Sequence, residues 1–325
     1  MPLDAFTNTF AGNPLDRASA KRADPAWIAD RLAEPAALSV AIWNGRPLVE
    51  TGASGAPQLA YLSAAVASEL AGGPERLLFL GLWKETPVFA LDFEGADDPA
   101  DGPLEGLGRF DDLRTIALTL PPADAAIAAT AKGVFEWRRR HQYCAACGAA
   151  SQVAEAGWKR VCPACAAEHF PRTDPVVIML PVKGERCLVG RQAAWPKGVY
   201  SALAGFLEPG ETIEEACARE LSEEAGLITR RVHYHSTQPW PYPSTLMIGL
   251  IAEVENEDAV ADQDELDEVR WLTREEARQL IAETHASARA PGAMAIAHQL
   301  IRAWAEADIG SDARLAASAA GPNGV

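Results

Sequence analysis

The chain is 325 residues long and 48% hydrophobic, enough for two or three domains with buried cores. Its formal charge of −16 excludes broad electrostatic attraction to nucleic acid or an anionic membrane, so any phosphate it binds must be handled locally. No apolar run approaches the ~18–20 residues of a membrane helix, and the opening MPLDAFTNTF lacks the charged-then-apolar pattern of a signal peptide, so a cytoplasmic protein with no membrane partner is expected.

Residues 1 to about 120 mix β-rich runs, LLFLGLW from Leu77 and VFALDF from Val88, with Ala-rich helical stretches such as Ala60 to Ala71. No catalytic constellation is visible among them. Pro122 to His141 reads as a helix leading into a cysteine module. Beyond it, PVVIML from Pro175 and ERCLVGRQ from Glu185 are strands, VYSALAGFL from Val199 leads into an acidic helix, and TLMIGLIAEV from Thr245 is a further strand. Arg274 to Glu283 and Ala293 to Glu306 are predicted helices. The last stretch, SDARLAASAAGPNGV, is small and polar enough to be a disordered tail over 309–325.

Cys144-x2-Cys147, fourteen residues, then Cys162-x2-Cys165 has the spacing of a four-thiolate zinc ribbon. Four protein ligands leave no open coordination position, so a structural Zn²⁺, one per chain, is expected to stabilise the fold. The intervening loop carries only Lys159 and Arg160 as bases, which favours a structural or dimer-supporting role over nucleic-acid binding. Cys187 and Cys217 are single and read as buried small hydrophobes. His169, His233 and His235 read as partly exposed structural residues.

Residues 205 to 227, GFLEPGETIEEACARELSEEAGL, carry the densest chemistry. Thr212 with Glu215 forms a capping box that starts a helix, and Gly226 is suited to stop it. Ile213, Cys217 and Leu221 recur every four residues and can face a core, with Glu220, Glu223 and Glu224 on an adjoining face. Seven acids and one base lie between Glu208 and Glu224, and like charges three or four apart cost roughly 0.2–0.5 kcal/mol per pair. Such crowding makes sense if cations neutralise it. Carboxylates without Cys or His suit the hard ions Mg²⁺ or Mn²⁺, which can bridge a diphosphate and activate water. Arg219, the only cation in the cluster, is read as orienting Glu211 or a neighbouring carboxylate.

This arrangement, Gly205, five residues, Glu211, seven residues, then Arg219-Glu220-Leu221-x-Glu223-Glu224-x-Gly226-Leu227, resembles the Nudix box in every slot. QPWPYPST, from Gln238 to Thr245, is similar to the signature of the NADH pyrophosphatase family, usually SQPWPFPxS; Thr237, Tyr242 and Thr245 replace Ser, Phe and Ser but keep the hydroxyl or ring. The zinc-ribbon pattern, HFPRTDPVVIML and WPKGVYSALAGF resemble that family too. Pro239, Pro241 and Pro243 stiffen the segment and would hold Trp240 as a rigid pocket wall; a turn with a buried Trp is the plainer reading.

The resemblance implies an α/β (α+β) architecture: an N-terminal Nudix-like domain over 1–135, degenerate in sequence, a zinc ribbon over 136–170, and a catalytic Nudix α/β/α sandwich with a mixed sheet over 171–308. It implies that Glu211, Arg219, Glu220, Glu223 and Glu224 are catalytic, and that Glu220, Glu223, Glu224 and Glu265 hold Mg²⁺ or Mn²⁺. Phe206 and Trp240 would line the nucleotide site, and Phe170 would reach a nicotinamide across a homodimer interface. Gln238, Tyr242, Thr245, Glu265 and Ala297 complete the implied substrate set. The expected reaction splits the diphosphate of NADH or NAD⁺ into nicotinamide mononucleotide and AMP. Removal of NAD caps from RNA 5′ ends is one alternative, as are a broader dinucleotide or ADP-ribose diphosphatase and a catalytically silent NAD-sensing regulator. Which glutamate is the base stays open.

Overall fold

The computed structural model describes residues 8–73 and 76–307. It divides into two compact units, Met1–Thr173 with Pro239–Thr245, and Asp174–Gln238 with Leu246–Val325.

The first unit is built on a seven-stranded sheet made of β1 (Leu38–Trp43), β2 (Arg46–Thr51), β3 (Pro57–Leu59), β4 (Tyr61–Ser63), β5 (Leu77–Trp83), β6 (Thr86–Phe93) and β7 (Arg109–Phe110). Its main order is β3-β2-β1-β6-β5, with β1 and β6 parallel. The helices are α1 (Pro25–Leu32), α2 (Ala64–Ala71), the short α3 (Leu113–Ile116) and α4 (Pro122–Arg140). α1 starts where the Asp24 carboxylate accepts from the Ala26 and Trp27 amides, with Pro25 in the first turn. The helix predicted from Ala60 begins later. Tyr61–Ser63 pairs with β1 as β4, with Leu62 opposite Ser39, and the Ser63 hydroxyl caps α2 by accepting from the Val66 amide. Ala content alone could not show that sheet pairing wins over those three residues. The cysteine module follows as a three-stranded sheet, β8 (Gln152–Ala154), β9 (Lys159–Val161) and β10 (Glu168–His169).

The second unit is a six-stranded sheet of β11 (Asp174–Lys183), β12 (Arg186–Arg191), β13 (Leu203–Phe206), β14 (Thr229–Trp240), β15 (Thr245–Val254) and β16 (Glu268–Thr273). α5 (Ile213–Ala225) covers one face, and α6 (Arg274–Ile281) with α7 (Ile296–Glu306) covers the other. Side chains alternate across a strand, and β11 shows it: Val177 and Met179 pack with α5, while Ile178 and Leu180 pack with α6 and α7. This explains why PVVIML is apolar without a break, since both faces are buried. Full burial of each such side chain contributes about 1.5–3 kcal/mol. β14 has no counterpart among the predicted elements. Its arginines and histidines hide a strand that lies at the sheet edge, where Arg230, Arg231 and Tyr234 face solvent. The predicted tail lies outside the described residues.

Candidate active site

α5 forms as its residues dictate. The Thr212 hydroxyl accepts from the Glu215 amide while the Glu215 carboxylate accepts from the Thr212 amide. The helix stops at Gly226, whose φ of 65° is the left-handed region that glycine enters at little cost. Cys217 and Leu221 are fully buried in the core beneath, with Ile213 partly buried beside them. The Cys217 and Cys187 thiols are buried, and burial pushes both up to about 12, as inert packing residues require.

Arg219 ties the acidic face together. Its Nε and Nη2 donate to both oxygens of Glu211 at 2.6 and 2.9 Å, its Nη1 donates to Glu220 and Glu223 at 2.9 Å each, and Nη2 also reaches the Phe206 carbonyl at 2.9 Å. The guanidinium holds the Glu211 carboxyl down at about 2, and the carboxylates in turn raise Arg219. These bonds place Arg219 against Glu211, Glu220 and Glu223, the carboxylates that an orienting role would involve.

Glu220, Glu224 and Glu265 converge, each offering a carboxylate oxygen, with all three atoms within 4.8 Å of one another. Glu265 stands forty-one positions beyond Glu224 (265 − 224) but is brought back by the loop after β15. Val260 and Asp262 donate their amides to the Ala225 and Glu224 carbonyls at 3.1 and 3.2 Å, docking the loop on the end of α5. The Asp262 carboxylate then accepts from the Glu265 and Leu266 amides at 3.1 and 2.9 Å. Asp262 is thus a positioning residue that sequence reasoning missed; its only signal was the Asp-x-x-Glu spacing of a side-chain-capped turn. Glu223 is exposed, bonds Arg219, and is not one of the three converging groups.

The triplet fits a cation. Glu220 is 8% and Glu224 3% exposed, and one Glu224 oxygen is buried without a hydrogen-bond partner. Burial, followed by the charges of Glu220, Glu265, Asp262 and Glu223, pushes Glu224 up to about 8. Burial also raises Glu220, against the pull of Arg219. A buried carboxylate with no partner is costly, and a divalent ion among three oxygen donors removes that cost.

The four cysteines also converge, with their Sγ atoms all within 4.8 Å of one another. Cys144 and Cys165 lie 3.6 Å apart and Cys147 and Cys162 3.5 Å. A tetrahedron with Zn–S bonds of ~2.3 Å has edges of ~3.8 Å, so the cage is of zinc size. Burial raises the Cys162 thiol, but the amides of Cys165 and Ala164 and the sulfurs of Cys147 and Cys165 outweigh it and bring the group down to about 7, favouring a thiolate. Lys159 is spent on Glu155 and Glu168, and Arg160 on Ser151.

The remaining expected site residues are placed as follows. Phe206, at the end of β13, and Phe170 are 62% and 59% exposed. Trp240 and Tyr242 belong to the first unit, with ring centroids 5.3 Å apart, and Phe10 lies edge-on at 6.2 and 6.4 Å. The Arg114 guanidinium sits 5.3 Å from the Trp240 ring and 4.5 Å from Tyr242. Gln238 is fully buried: its amide nitrogen donates to the Met294 carbonyl and its oxygen accepts from the Ile296 amide, tying β14 to the start of α7. Ala297 is buried in the first turn of α7, and Thr245 opens β15 half-buried. His233 is buried rather than partly exposed, because its ring bonds Glu253 at 2.8 Å across the neighbouring strand.

Comparison with known proteins agrees with this geometry. The model of the NUDIX domain matches residues 171–291, that of the NADH pyrophosphatase-like rudimentary NUDIX domain residues 36–137, and that of the NADH pyrophosphatase zinc ribbon domain residues 139–170. NAD-capped RNA hydrolase NUDT12 of Macaca fascicularis is 34% identical, covering 93% of this chain and 74% of its own length. NAD-capped RNA hydrolase NudC of Mycobacterium bovis is 34% identical over 85% of this chain and 91% of its own. Nudix hydrolase 19, chloroplastic, of Arabidopsis thaliana is 32% identical over 87% and 74%. With a complete Nudix box, a four-thiolate ribbon and relatives of this identity along most of its length, the chain belongs to the NADH pyrophosphatase family of Nudix hydrolases.

Proposed function

We propose that the protein hydrolyses the diphosphate of NADH or NAD⁺, and the same bond at the 5′ end of NAD-capped RNA, with Mg²⁺ or Mn²⁺ held by Glu220, Glu224 and Glu265. The observation that carries this reading is the convergence of Glu220 and Glu224 of a complete Nudix helix with Glu265 of the following loop, one Glu224 oxygen being buried without a hydrogen-bond partner; the family relatives named for NAD-cap hydrolysis support the substrate class. Water adds to one phosphorus while the bridging P–O bond breaks, and the freed oxygen leaves on the other phosphate. The products are nicotinamide mononucleotide and AMP, or AMP-ended RNA when the substrate is capped. The bound ions would offset phosphate charge and acidify the attacking water. Arg219 holds Glu211, Glu220 and Glu223 in place, and Asp262 holds Glu265. Trp240 is proposed to stack a base, Gln238 to brace the signature segment, and Phe206, Tyr242, Thr245 and Ala297 to contact substrate.

We further propose a cytoplasmic homodimer in which the exposed Phe170 ring reaches the substrate bound by the partner, with one structural Zn²⁺ per chain. No described helix is long and apolar enough to cross a membrane. Parallel kinetics on NADH, NAD⁺, ADP-ribose and NAD-capped RNA, with Mg²⁺ and then Mn²⁺, test the reading. Release of AMP from NADH and of AMP-ended RNA from the capped substrate is expected. Absence of cleavage of all four, with metal present, would overturn it.

A further inference from the structure

The zinc ribbon meets the N-terminal segment at a site that the diphosphatase chemistry does not use. Trp158, just before β9, is fixed by its Nε1, which donates to the Phe79 carbonyl at 2.7 Å. Two guanidinium groups gather over its ring: Arg22 at 4.0 Å from the centroid and Arg17 at 5.6 Å. Arg22 is itself braced, its Nε and Nη2 donating to the Arg17 carbonyl at 3.2 and 3.0 Å. The backbone of Asp16 pairs with Leu82 at the edge of β5, which anchors Arg17 from the other side.

The arrangement is electrically unfinished. Among the described residues no ion pair involves Arg17 or Arg22. Glu155, whose field reaches Arg22, is committed to Lys159 at 2.5 Å, and the Asp16 carboxylate caps the Ala18 amide at 2.9 Å. Burial lowers both arginines, and for Arg22 the charge of Arg17 adds to it, bringing the group to about 10. Two like charges held together on one indole, in a chain of charge −16, would be better neutralised by an anion. Arg donors grouped on a fixed aromatic ring match the backbone of a single strand, whose phosphate oxygens guanidinium takes while the ring holds the guanidinium in place by cation–π contact.

We propose that Arg17, Arg22 and Trp158 form a binding site for a phosphate of single-stranded RNA, separate from the carboxylate cluster. Uncapped RNA carries no NAD diphosphate, so the site can be tested independently of the hydrolytic reading. Fluorescence anisotropy of a labelled, uncapped RNA of about ten nucleotides, within the usual reach of such sites, should show salt-dependent binding to the whole protein. In the double variant Arg17→Gln, Arg22→Gln the magnitude of the slope of log K against log salt should fall by about 0.7, the single-strand value for one phosphate contact. NADH turnover by that variant should match the parent, which also confirms that it is folded; a thermal melt serves the same purpose if NADH proves not to be a substrate. Parent-like RNA affinity and slope in the variant would overturn the proposal, as would a parent that binds no RNA. Inorganic phosphate is the second probe: a parent that binds it through these arginines while ignoring RNA would overturn the nucleic-acid assignment.

Discussion

Gly205 of β13 and Glu220 of α5 lie so close that a Cβ built on Gly205 would fall inside the Glu220 carboxylate. The first residue of the Nudix pattern is therefore a glycine for a local reason: β13 pairs with β11, Gly205 opposite Val177, and the Glu220 carboxylate occupies the space a side chain would take. Gly205→Ala must displace Glu220 from Arg219 and from its two carboxylate neighbours. Misplacing a reacting group by about 1 Å can cost 10²-fold, so turnover of NADH should fall by about that factor, with a higher Mg²⁺ half-saturation and a near-parental melt. Parental turnover and metal dependence would show that Glu220 has another productive position.

The second prediction concerns Glu224. In the metal-free protein its carboxyl stands at about 8, above the ordinary carboxylate range, because it is buried among Glu220, Glu265, Asp262 and Glu223. A carboxyl raised on folding costs stability once pH passes its unfolded value, and the cost is complete above its folded value. The metal-free protein should therefore lose stability as pH rises from about 4.3 through about 8. Glu224→Gln should melt higher than the parent without metal, most clearly above pH 8, yet gain less from Mg²⁺ and lose turnover by orders of magnitude. Melts in chelator and in Mg²⁺ at several pH values check this. A variant that melts lower than the parent in chelator would contradict the account.

The third concerns zinc. Freshly purified, reduced protein should hold one Zn²⁺ per chain, and Cys162→Ser should lose it, since Cys162 is 1% exposed and its sulfur lies 3.5 Å from Cys147. Zinc binding and folding are coupled in such modules, so the melt should drop while kcat per folded molecule changes little. Chelators should strip the catalytic ion far more readily than the zinc. Elemental analysis finding no zinc in the parent would remove the assignment.

How much of this was legible beforehand follows the range of the interactions. The capping box at Thr212, the stop at Gly226, the stripe of Cys217 and Leu221 and the cysteine pairs are local, and spacing alone carries them. The alternation of β11 between two cores is local too. What escaped depends on distant partners: β4 in place of the first turn of a helix, because Ser39 and Leu62 pair; the edge strand β14; Asp262 and the loop that returns Glu265 to Glu224; and Gln238, whose amide is claimed by Met294 and Ile296. A polar residue in a motif reads as a ligand until the backbone groups around it are known.

Trp240 carries the last prediction, because substrate choice rests most on its segment. The ring is held by Tyr242 at 5.3 Å, by Phe10 edge-on at 6.2 Å and by the Arg114 guanidinium at 5.3 Å, so its orientation is set by packing rather than by its own rotamers. If that fixed ring stacks a base, Trp240→Ala removes ~1–3 kcal/mol of stacking. At 1.36 kcal/mol per tenfold, kcat/KM for NADH should fall by roughly 5- to 150-fold. Trp240→Phe keeps a stacking face and should retain most of the activity. Products and Mg²⁺ half-saturation should be unchanged in both variants, since the carboxylates still choose the bond. Removing the ring also unpacks Phe10 and Tyr242, so the melt should drop, and the two effects separate because instability lowers the active fraction equally for every substrate. The ratio of kcat/KM for NADH to that for a smaller diphosphate such as ADP-ribose therefore decides the matter. An unchanged ratio would make this segment scaffolding and leave the base to be recognised elsewhere.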